Sequence, residues 1–390
     1  MLSAIPRARK SLGHLVLVLF AVILSACVPA GGPSTGPGTA TGSVQVALLI
    51  PSGSGSGTDE LFGRNLENAA RLAMADLSGV TVDLRVYKTG GSPAQARAMA
   101  RQAVDEGAKI ILGPFYSEEA NAAGAAVAGD GVNVLAFSNN SDIAGGNVFV
   151  LGQTFDNTAR RLANFAVRNG KGRILIVHDQ NVAGTAGRAA IERGVAAAGG
   201  SVVGTSSYEF SQNGIVQAAT GIAQTARSSG ASAIFLTATT DGALPLVSQM
   251  LVENGVDRSA TQFIGLTRWD IPAATLALPG VQGGWFAMPD PGLSNQFQAR
   301  YAAAYGAAPH PVAGLAYDGI AAIGALVRQG KADALTASAL TQGAGFVGVS
   351  GIFRFLPNGT NERGLAVAQI RNNQVVVIDP SPRSFAGAGF

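Results

Sequence analysis

The sequence predicts an α/β protein with two similar lobes, each containing a doubly wound, mainly parallel sheet. Short and continuously apolar runs alternate with segments of helical spacing, which is typical of strands that are covered by helices on both faces. This alternation runs through the chain twice, and the repetition predicts two lobes. Hydrophobic residues make up 47% of the chain but aromatic residues only 6%, and there are 52 glycines. Such small residues favour close packing of helices on a sheet.

The first series begins with a strand that we predict over residues 44–50. A helix follows this strand, because Leu66, Ala69, Ala70 and Ala73 are spaced so that they form one helical face. Further strands are predicted over 80–86, 109–112, 133–137 and 148–151, and further helices over 94–106 and 118–128.

The second series begins with a helix over 157–167. Its strands are predicted over 174–177, 202–208, 233–237, 263–266 and 285–287, and its other helices over 185–198, 215–226 and 244–252. A tail adds helices over 294–305 and 312–327 and strands over 353–355, 365–370 and 375–378, with Asn372-Asn373 as the last turn. We expect a ligand to bind where loops from the carboxyl ends of both sets of strands converge.

Cys27 is the only cysteine, and it closes the run Leu24-Ser25-Ala26-Cys27, which has the pattern of a lipobox. Three basic residues and an apolar stretch precede it, as in a bacterial secretory signal that is too short to span a membrane. We therefore expect residues 1–26 to be removed and Cys27 to carry acyl chains that anchor the protein to a membrane face. By similarity to sorting in Gram-negative bacteria, Val28 favours the outer membrane, and the inner membrane is the alternative.

Residues 27–43 are predicted to form a flexible linker, because they are rich in proline, glycine, serine and threonine and have little to bury. Removal of the signal takes away three basic residues and leaves 24 basic against 24 acidic residues. A chain with no net charge and no basic run is not predicted to bind nucleic acid. Once Cys27 is acylated, no cysteine remains for a disulfide or a nucleophile.

The sequence contains no recognisable catalytic motif. His178 and His310 lack the spacing of metal ligands, and neither a P-loop nor a nucleophile elbow occurs. We interpret His178 as cleft lining or as part of the local structure. The loop over 53–57 lacks the lysine of a phosphate-binding loop, and we interpret it as a loop on the surface or beside a cleft. We expect no metal, no cofactor and no enzymatic activity.

Polar side chains follow two neighbouring strands of the first predicted lobe. Ser117 comes after the Gly113-Pro114 turn, where we expect it to cap a helix whose free backbone N–H groups suit a carboxylate. The run Ser138, Asn139, Asn140 and Ser141 follows the next strand and offers neutral hydrogen-bonding groups. Although each cluster alone is consistent with ordinary capping, the two together predict a cleft lined for a small polar ligand.

The Gly113-Pro114 turn with Ser117, the segment over 151–155 and the helix around 315–319 resemble type I periplasmic binding proteins, in particular branched-chain amino-acid receptors. The resemblance implies that three crossings join the lobes, and we place them near residues 153, 290 and 346. It implies that residues 44–152 plus 291–345 form lobe 1 and that residues 153–290 plus 346–390 form lobe 2.

Several further runs resemble a narrower group, the penicillin-binding protein activators. They lie at 135–140, 268–270, 283–291 and 351–355. This resemblance implies a lipoprotein that stimulates a peptidoglycan synthase, with that synthase as its partner. The alternative is the substrate-binding receptor of an ABC importer for amino acids or a similar small polar solute.

Amino-acid receptors of this fold hold the ligand carboxylate with residues at the positions of Ser117 and Ser141, and the ligand amine with an acid of the second lobe. At that second position this sequence has Arg268, Trp269 and Asp270, and Arg268 would repel an ammonium group. We nevertheless expect these three residues to line the cleft, with burial in the core as the alternative for Trp269. Asp318 lies in an apolar helix, so it either faces the cleft or pairs with an arginine.

Overall fold

The computed structural model describes residues 43–386 and contains fifteen strands within that range. The predicted signal, Cys27 and most of the predicted linker lie outside the described residues. No helix between residues 43 and 386 has both the length and the apolar character needed to cross a membrane.

The first lobe contains a five-stranded parallel sheet in the order β2-β1-β3-β4-β5. Its strands are β1 (Ser43–Ile50), β2 (Thr81–Lys88), β3 (Ile110–Leu112), β4 (Asn133–Ala136) and β5 (Val148–Val150). The helices between them are α1 (Gly57–Asp76), α2 (Pro93–Asp105) and α3 (Ser117–Val127). Helices α8 (Pro291–Tyr305) and α9 (Ala313–Val327) come from later in the chain and share a hydrophobic core with this sheet.

The second lobe contains a seven-stranded sheet in the order β15-β14-β10-β9-β8-β6-β7. Its parallel strands are β6 (Arg173–Asp179), β7 (Ser201–Tyr208), β8 (Ala233–Leu236), β9 (Gln262–Gly265) and β10 (Trp285–Met288). Strands β14 (Ala366–Arg371) and β15 (Gln374–Asp379) extend this sheet in antiparallel fashion. Its helices are α4 (Phe155–Arg168), α5 (Val182–Ala197), α6 (Gln212–Ser228) and α7 (Leu244–Glu253).

Each sheet has a hydrophobic core on both faces, which confirms the predicted doubly wound arrangement. In the first lobe, α1, α8 and α9 cover one face, while α2 and α3 cover the other. In the second lobe, α6 and α7 cover one face, and α4 and α5 cover the other. The central strands of both sheets are almost fully buried because apolar helices flank them on both sides, whereas the edge strands β2, β7 and β15 are partly exposed.

The chain passes between the lobes three times, as the resemblance implied. The first passage leads from β5 to α4, and the second from β10 to α8. The third leads from α9 through a short helix α10 (Ala337–Leu340) and a small antiparallel sheet to β14. That sheet consists of β11 (Phe346–Gly348), β12 (Gly351–Phe355) and β13 (Asn361–Arg363), of which β11 and β13 were not predicted.

The small sheet contributes its aromatic side chains to the core of the first lobe, although the sequence analysis assigned residues from 346 onward to the second. Phe346, Phe353 and Phe355 lie in the same core cluster as Phe149, and the rings of Phe149 and Phe355 are 5.7 Å apart. The chain joins the second sheet only at β14. Asn372 and Asn373 then have φ values of 51° and 62°, which confirms the predicted tight turn between β14 and β15.

A buried ion pair connects the first lobe with the small antiparallel sheet. Asp318 of α9 contacts Arg363 of β13, and its other carboxylate oxygen accepts a 2.7 Å hydrogen bond from the backbone N–H of Val349. Arg363 also donates to the backbone carbonyl of Leu151, at the first passage between the lobes. The pair therefore joins α9, β13 and two of the connecting segments.

Candidate functional site

A cavity of about 1150 Å³ lies between the carboxyl ends of strands in both lobes, and we call it the cleft cavity. The first lobe contributes residues 139–142, which follow β4. The second lobe contributes the start of α4, the end of β6 and one side of α5: Phe155, Asp156, His178, Gln180, Asn181, Val182, Ala183, Thr185, Ala186, Ala189, Ala190 and Arg193. The cavity therefore lies where the sequence predicts a ligand, at the convergence of the two sets of strand ends.

The wall provided by the second lobe consists mainly of the amino-terminal half of α5. Asn181 caps this helix, since its side chain accepts a 2.7 Å hydrogen bond from the backbone N–H of Gly184. The first turn contains no acidic residue, so the partial positive charge of the helix end is not neutralised by its own side chains. The side chains that face the cavity are small, notably Ala183, Ala186 and Ala189, and their small size provides the volume.

The wall provided by the first lobe is the predicted polar run. Ser138 is 6% exposed, and its hydroxyl accepts a hydrogen bond from the backbone N–H of Asn140, so it supports the loop from within. The Asn140 side chain in turn accepts from the backbone N–H of Asp142. Asn139 and Ser141 line the cavity, and no hydrogen bond to their side chains is found among residues 43–386. Part of the run thus shapes the loop, and part of it faces the cavity.

Charged and titratable groups line the cleft cavity: Asp142 on the first-lobe side, and Asp156, His178 and Arg193 on the second-lobe side. Arg193 makes two hydrogen bonds to Asp156, of 2.8 Å from Nε and 3.1 Å from Nη2. His178 places Nδ1 3.0 Å from the backbone carbonyl of Asp179. Because a carbonyl only accepts hydrogen bonds, Nδ1 carries the proton, and Nε2 of the neutral ring is an acceptor.

Asp179 lies behind this wall, at the end of β6, and it is 4% exposed. Tyr208 donates a hydrogen bond to its carboxylate, and its backbone N–H donates to the hydroxyl of Thr237 at 3.2 Å. Burial raises the pKa of the Asp179 carboxyl, although the Tyr208 hydrogen bond acts in the opposite direction. Burial and the same hydrogen bond raise the pKa of Tyr208. These groups fix the end of β6, from which His178 reaches the cavity.

A second cavity, of about 400 Å³, shares no lining residue with the first, and we call it the hinge-side cavity. It lies between the loop after β9, the beginning of α8, the loop before α9 and two segments that connect the lobes. Its polar lining consists of Arg268, Asp270, Ser294, Asn295, Gln298, His310 and Ser350, and its apolar lining includes Ile271, Met288, Phe297 and several prolines.

Arg268 and Asp270 form an ion pair at the edge of this cavity, with Nε of the arginine 2.8 Å from Oδ1 of the aspartate. A second bond joins Nη2 to Oδ2, so both carboxylate oxygens are engaged. The sequence analysis expected Arg268 and Asp270 to line the ligand cleft. The structure places them instead at the hinge-side cavity, because the loop after β9 faces α8 and not α5.

Ser117 does not cap α3 as predicted. It is the first residue of the helix, and Tyr116 occupies the cap position. Glu119 accepts a hydrogen bond of 3.4 Å from the backbone N–H of Tyr116, so the acidic side chain satisfies the helix start. Ser117 is half-buried and lines neither of the two cavities.

Trp269 and Asp318 are not cleft residues. Trp269 is completely buried in the core beneath α7, which is the alternative that the sequence left open for it, and its ring lies against Gly265 and Gly284. A side chain at either glycine would overlap this ring, so the two glycines form the slot that holds it. Asp318 is likewise inaccessible and pairs with Arg363, which is the second of the alternatives that the sequence left open.

The sequence analysis missed Asp156, Asn181 and Arg193. It excluded His178 as a metal ligand and left cleft lining or local structure as its role, and the structure places it in the cleft lining. Asn181 had a detectable signal, because an asparagine between a buried strand and a predicted helix is a common helix cap. Arg193 had no such signal. It lies three turns into α5, and it reaches the cavity because that helix runs along the cleft.

A family of known proteins resembles this chain in sequence, and several solved structures resemble it in fold. A sequence model of the family described as "Periplasmic binding protein" matches residues 43–374, whereas no curated protein matches the chain. A branched-chain amino acid ABC transporter periplasmic ligand-binding protein from Burkholderia xenovorans has a similar structure, with a TM-score of 0.66 and 20% identity over 88% of this chain and 94% of that one.

Two other similar structures were solved with small molecules. A substrate-binding protein from Desulfitobacterium hafniense in complex with Leu has a TM-score of 0.63 at 18% identity, covering 86% of this chain and all of the other. A solute-binding protein from Rhodopseudomonas palustris in complex with 3,4-dihydroxybenzoic acid has a TM-score of 0.58 at 18% identity, covering 88% and 97%. Since the family profile spans most of the sequence and the two-lobed fold is the same, this chain belongs to the periplasmic binding proteins of type I, a family of non-enzymatic binding proteins.

Proposed function

We propose that this protein is the solute-binding component of an ABC importer and that it holds a small polar solute in the cleft cavity. One observation carries the proposal: the polar run after β4 and the capped amino terminus of α5 line the same cavity from opposite lobes. A ligand that contacts both walls favours the conformation in which the lobes are close. Hinge closure of this kind is a general means by which two-lobed proteins retain a ligand.

The cleft cavity offers the groups that such a ligand needs. Asn139 and Ser141 supply donors and acceptors, the α5 terminus supplies backbone N–H groups, and His178 supplies an acceptor at Nε2. Its volume lies slightly above the usual range of small-molecule pockets, so a small solute would fill only part of it. The names of similar proteins indicate which compounds to test first, namely leucine and hydroxylated benzoic acids.

Thermal unfolding of the mature protein in the presence of amino acids, benzoic acids and short peptides tests this proposal. A ligand at 100 times its Kd stabilises the native state by about 2.7 kcal/mol, which gives a readily measured rise in Tm. We expect at least one compound to raise the Tm of the natural sequence and to lose this effect in a variant whose cleft cavity is filled. If no compound in the panel raised the Tm, the importer role would be rejected.

The second candidate is a regulator of a peptidoglycan synthase. It is favoured by the runs at 135–140 and 283–291, which resemble the penicillin-binding protein activators, and by the lipobox at Cys27. In this proposal residues 27–43 span from an acylated Cys27 in the outer membrane to the two lobes. Measurement of glycan polymerisation by purified synthases, with and without the protein, tests it. An unchanged rate with every synthase of the host, together with failure to retain them on the immobilised protein, would reject this role.

A further inference from the structure

The hinge-side cavity differs from the cleft cavity in its chemistry, because a guanidinium group and an imidazole line it from opposite lobes. The charged and titratable side chains in its lining are Arg268, Asp270 and His310. Asp270 is the one acid among them, and Arg268 occupies both of its oxygens. The lining therefore contains no carboxylate that is free of an ion pair.

Arg268 retains donors after pairing with Asp270. A guanidinium group has five N–H bonds, and Asp270 accepts two of them, one from Nε and one from Nη2. No acceptor for the Nη1 edge is found within residues 43–386. This edge is available to an oxygen atom that enters the cavity.

His310 adds a donor from the opposite lobe. Its Nδ1 accepts a hydrogen bond of 3.3 Å from the backbone N–H of Val312, so the proton of the neutral ring lies on Nε2. The ring packs against Phe62 at a centroid distance of 4.7 Å, and the backbone N–H of His310 donates to Asn65 at 2.8 Å. These contacts hold the orientation of the ring, while burial lowers its pKa and favours the neutral form.

From these contacts we propose that the hinge-side cavity is a second binding site, which accepts the carboxylate of a compact monocarboxylic acid between Arg268 and His310. The apolar body of the acid packs against Met288 and Phe297. A volume of about 400 Å³ lies at the lower end of the range of ligand pockets and suits a molecule of the size of benzoate. The site does not require occupancy of the cleft cavity, because the two cavities have no lining residue in common.

Isothermal titration of the mature protein with sodium benzoate tests the proposal, and benzamide serves as the neutral analogue. We expect benzoate to bind and benzamide to bind at least tenfold more weakly, because hydrogen bonds to charged groups are the stronger ones. We expect Arg268→Gln to weaken benzoate binding at least tenfold. Asp270→Asn removes the negative charge that competes with benzoate for Arg268, so it should strengthen benzoate binding. If the ion pair had only a structural role, both substitutions would weaken benzoate binding.

The Arg71–Glu67 pair on the surface of α1 is the matched control, because it lines neither cavity. Arg71→Gln and Glu67→Gln should leave benzoate affinity within twofold of that of the natural sequence. If Arg268→Gln fails to fold, Arg268→Lys retains the charge but loses the planar fork, and it should also weaken binding. In addition, benzoate should shift the NMR signals of the His310 ring, which are assigned by comparison with His310→Gln.

Three results would overturn the proposal: no heat of binding with millimolar benzoate, equal affinity for benzamide, or sensitivity to Arg193→Gln without sensitivity to Arg268→Gln. The last result would place the acid in the cleft cavity and leave the importer role intact. The importer role is rejected by a different result, namely that no solute raises the Tm or that the rise persists when the cleft cavity is filled.

Discussion

Oδ2 of Asp318 lies 3.2 Å from Nη1 of Arg363, and the side chains are 0% and 4% exposed. The aspartate comes from α9 of the first lobe and the arginine from β13, immediately before the chain joins the second sheet. Through the backbone of Val349 and Leu151, the pair also reaches two of the segments that connect the lobes. A single buried ion pair thus connects the first lobe, the small sheet and two of the segments that join the lobes.

Asp318→Asn should reduce the free energy of unfolding by about 3–5 kcal/mol, because it leaves the Arg363 charge buried without its counterion. Urea denaturation followed by circular dichroism measures this loss. Glu67→Gln is the control, since Glu67 pairs with Arg71 on the surface of α1 and such pairs contribute about 1 kcal/mol or less. Similar losses for the two variants would contradict the structural role of the buried pair.

Gly284→Ala should destabilise the second lobe by about 1–3 kcal/mol, because the added methyl group would overlap the ring of Trp269 and force the core to shift. Tryptophan fluorescence during urea unfolding reports the change directly. Gly221→Ala provides the comparison, since Gly221 lies in the exposed part of α6 with open space around it. That substitution should stabilise the protein by up to about 1 kcal/mol. A Gly284→Ala variant as stable as the natural sequence would show that the slot has room for a methyl group beside Trp269.

Ala186→Trp should abolish solute binding without unfolding the protein. Ala186 is exposed on α5 and lines the cleft cavity, so an indole there would occupy space that the ligand needs. The measurement is the ligand-induced rise in Tm with the best compound of the panel. Ala303→Trp, on the exposed side of α8, introduces the same side chain away from both cavities and should retain the full rise. Equal rises in the two variants would place the solute elsewhere.

Glu119→Gln should change how stability depends on pH. Burial of Glu119, with a further contribution from the charge of Asp59, raises the pKa of its carboxyl above the ordinary value of 4.5. The native state therefore holds this proton more tightly than the unfolded state does. The resulting stability is fully present below about pH 4.5 and is lost as the pH rises through the pKa of the folded state.

Urea unfolding at a series of pH values from 4 to 8 measures this loss. Glu119→Gln removes the titrating group but retains an acceptor for the Tyr116 N–H, so the decline that is due to this residue should disappear. Glu118→Gln alters the exposed neighbour in the same turn and should leave the pH profile unchanged. Parallel profiles for the Glu119→Gln variant and the natural sequence would show that Glu119 is not the group responsible.

The sequence predicted the two doubly wound sheets because burial on both faces makes parallel strands apolar without interruption. It also predicted the polar run over 138–141, since hydrogen-bonding groups at a strand end are a local feature. The small antiparallel sheet was predicted only at residues 353–355. Its strands β11 and β13 are three residues long. They are stabilised by contacts with distant elements, including Asp318 of the first lobe and Asn157 of the second, and such contacts leave no periodic pattern.

The errors at Trp269 and Ser117 have identifiable physical causes. Trp269 follows a strand end in the sequence, but Gly265 and Gly284 leave a slot into the core, and that slot depends on segments about twenty residues apart. Ser117 has the right residue type for a cap, but the helix starts one residue earlier than predicted. Tyr116 therefore occupies the cap position, and its backbone N–H donates to Glu119. His310 reaches a cavity only because the loop before α9 packs on Phe62 of α1, which is a contact between distant parts of the chain.

Strands β14 and β15, the last of the described strands, complete the sheet of the second lobe next to β10. Arg161 of α4, which is itself buried, donates to the side chain of Asp379 and to the backbone carbonyl of Pro380 just beyond them. A polypeptide interrupted before residue 366 would display β10 as an unpaired border, which is a template for aggregation with other copies. The carboxyl-terminal hairpin therefore covers the edge of β10 with paired backbone and moves the border of the sheet outward to β15.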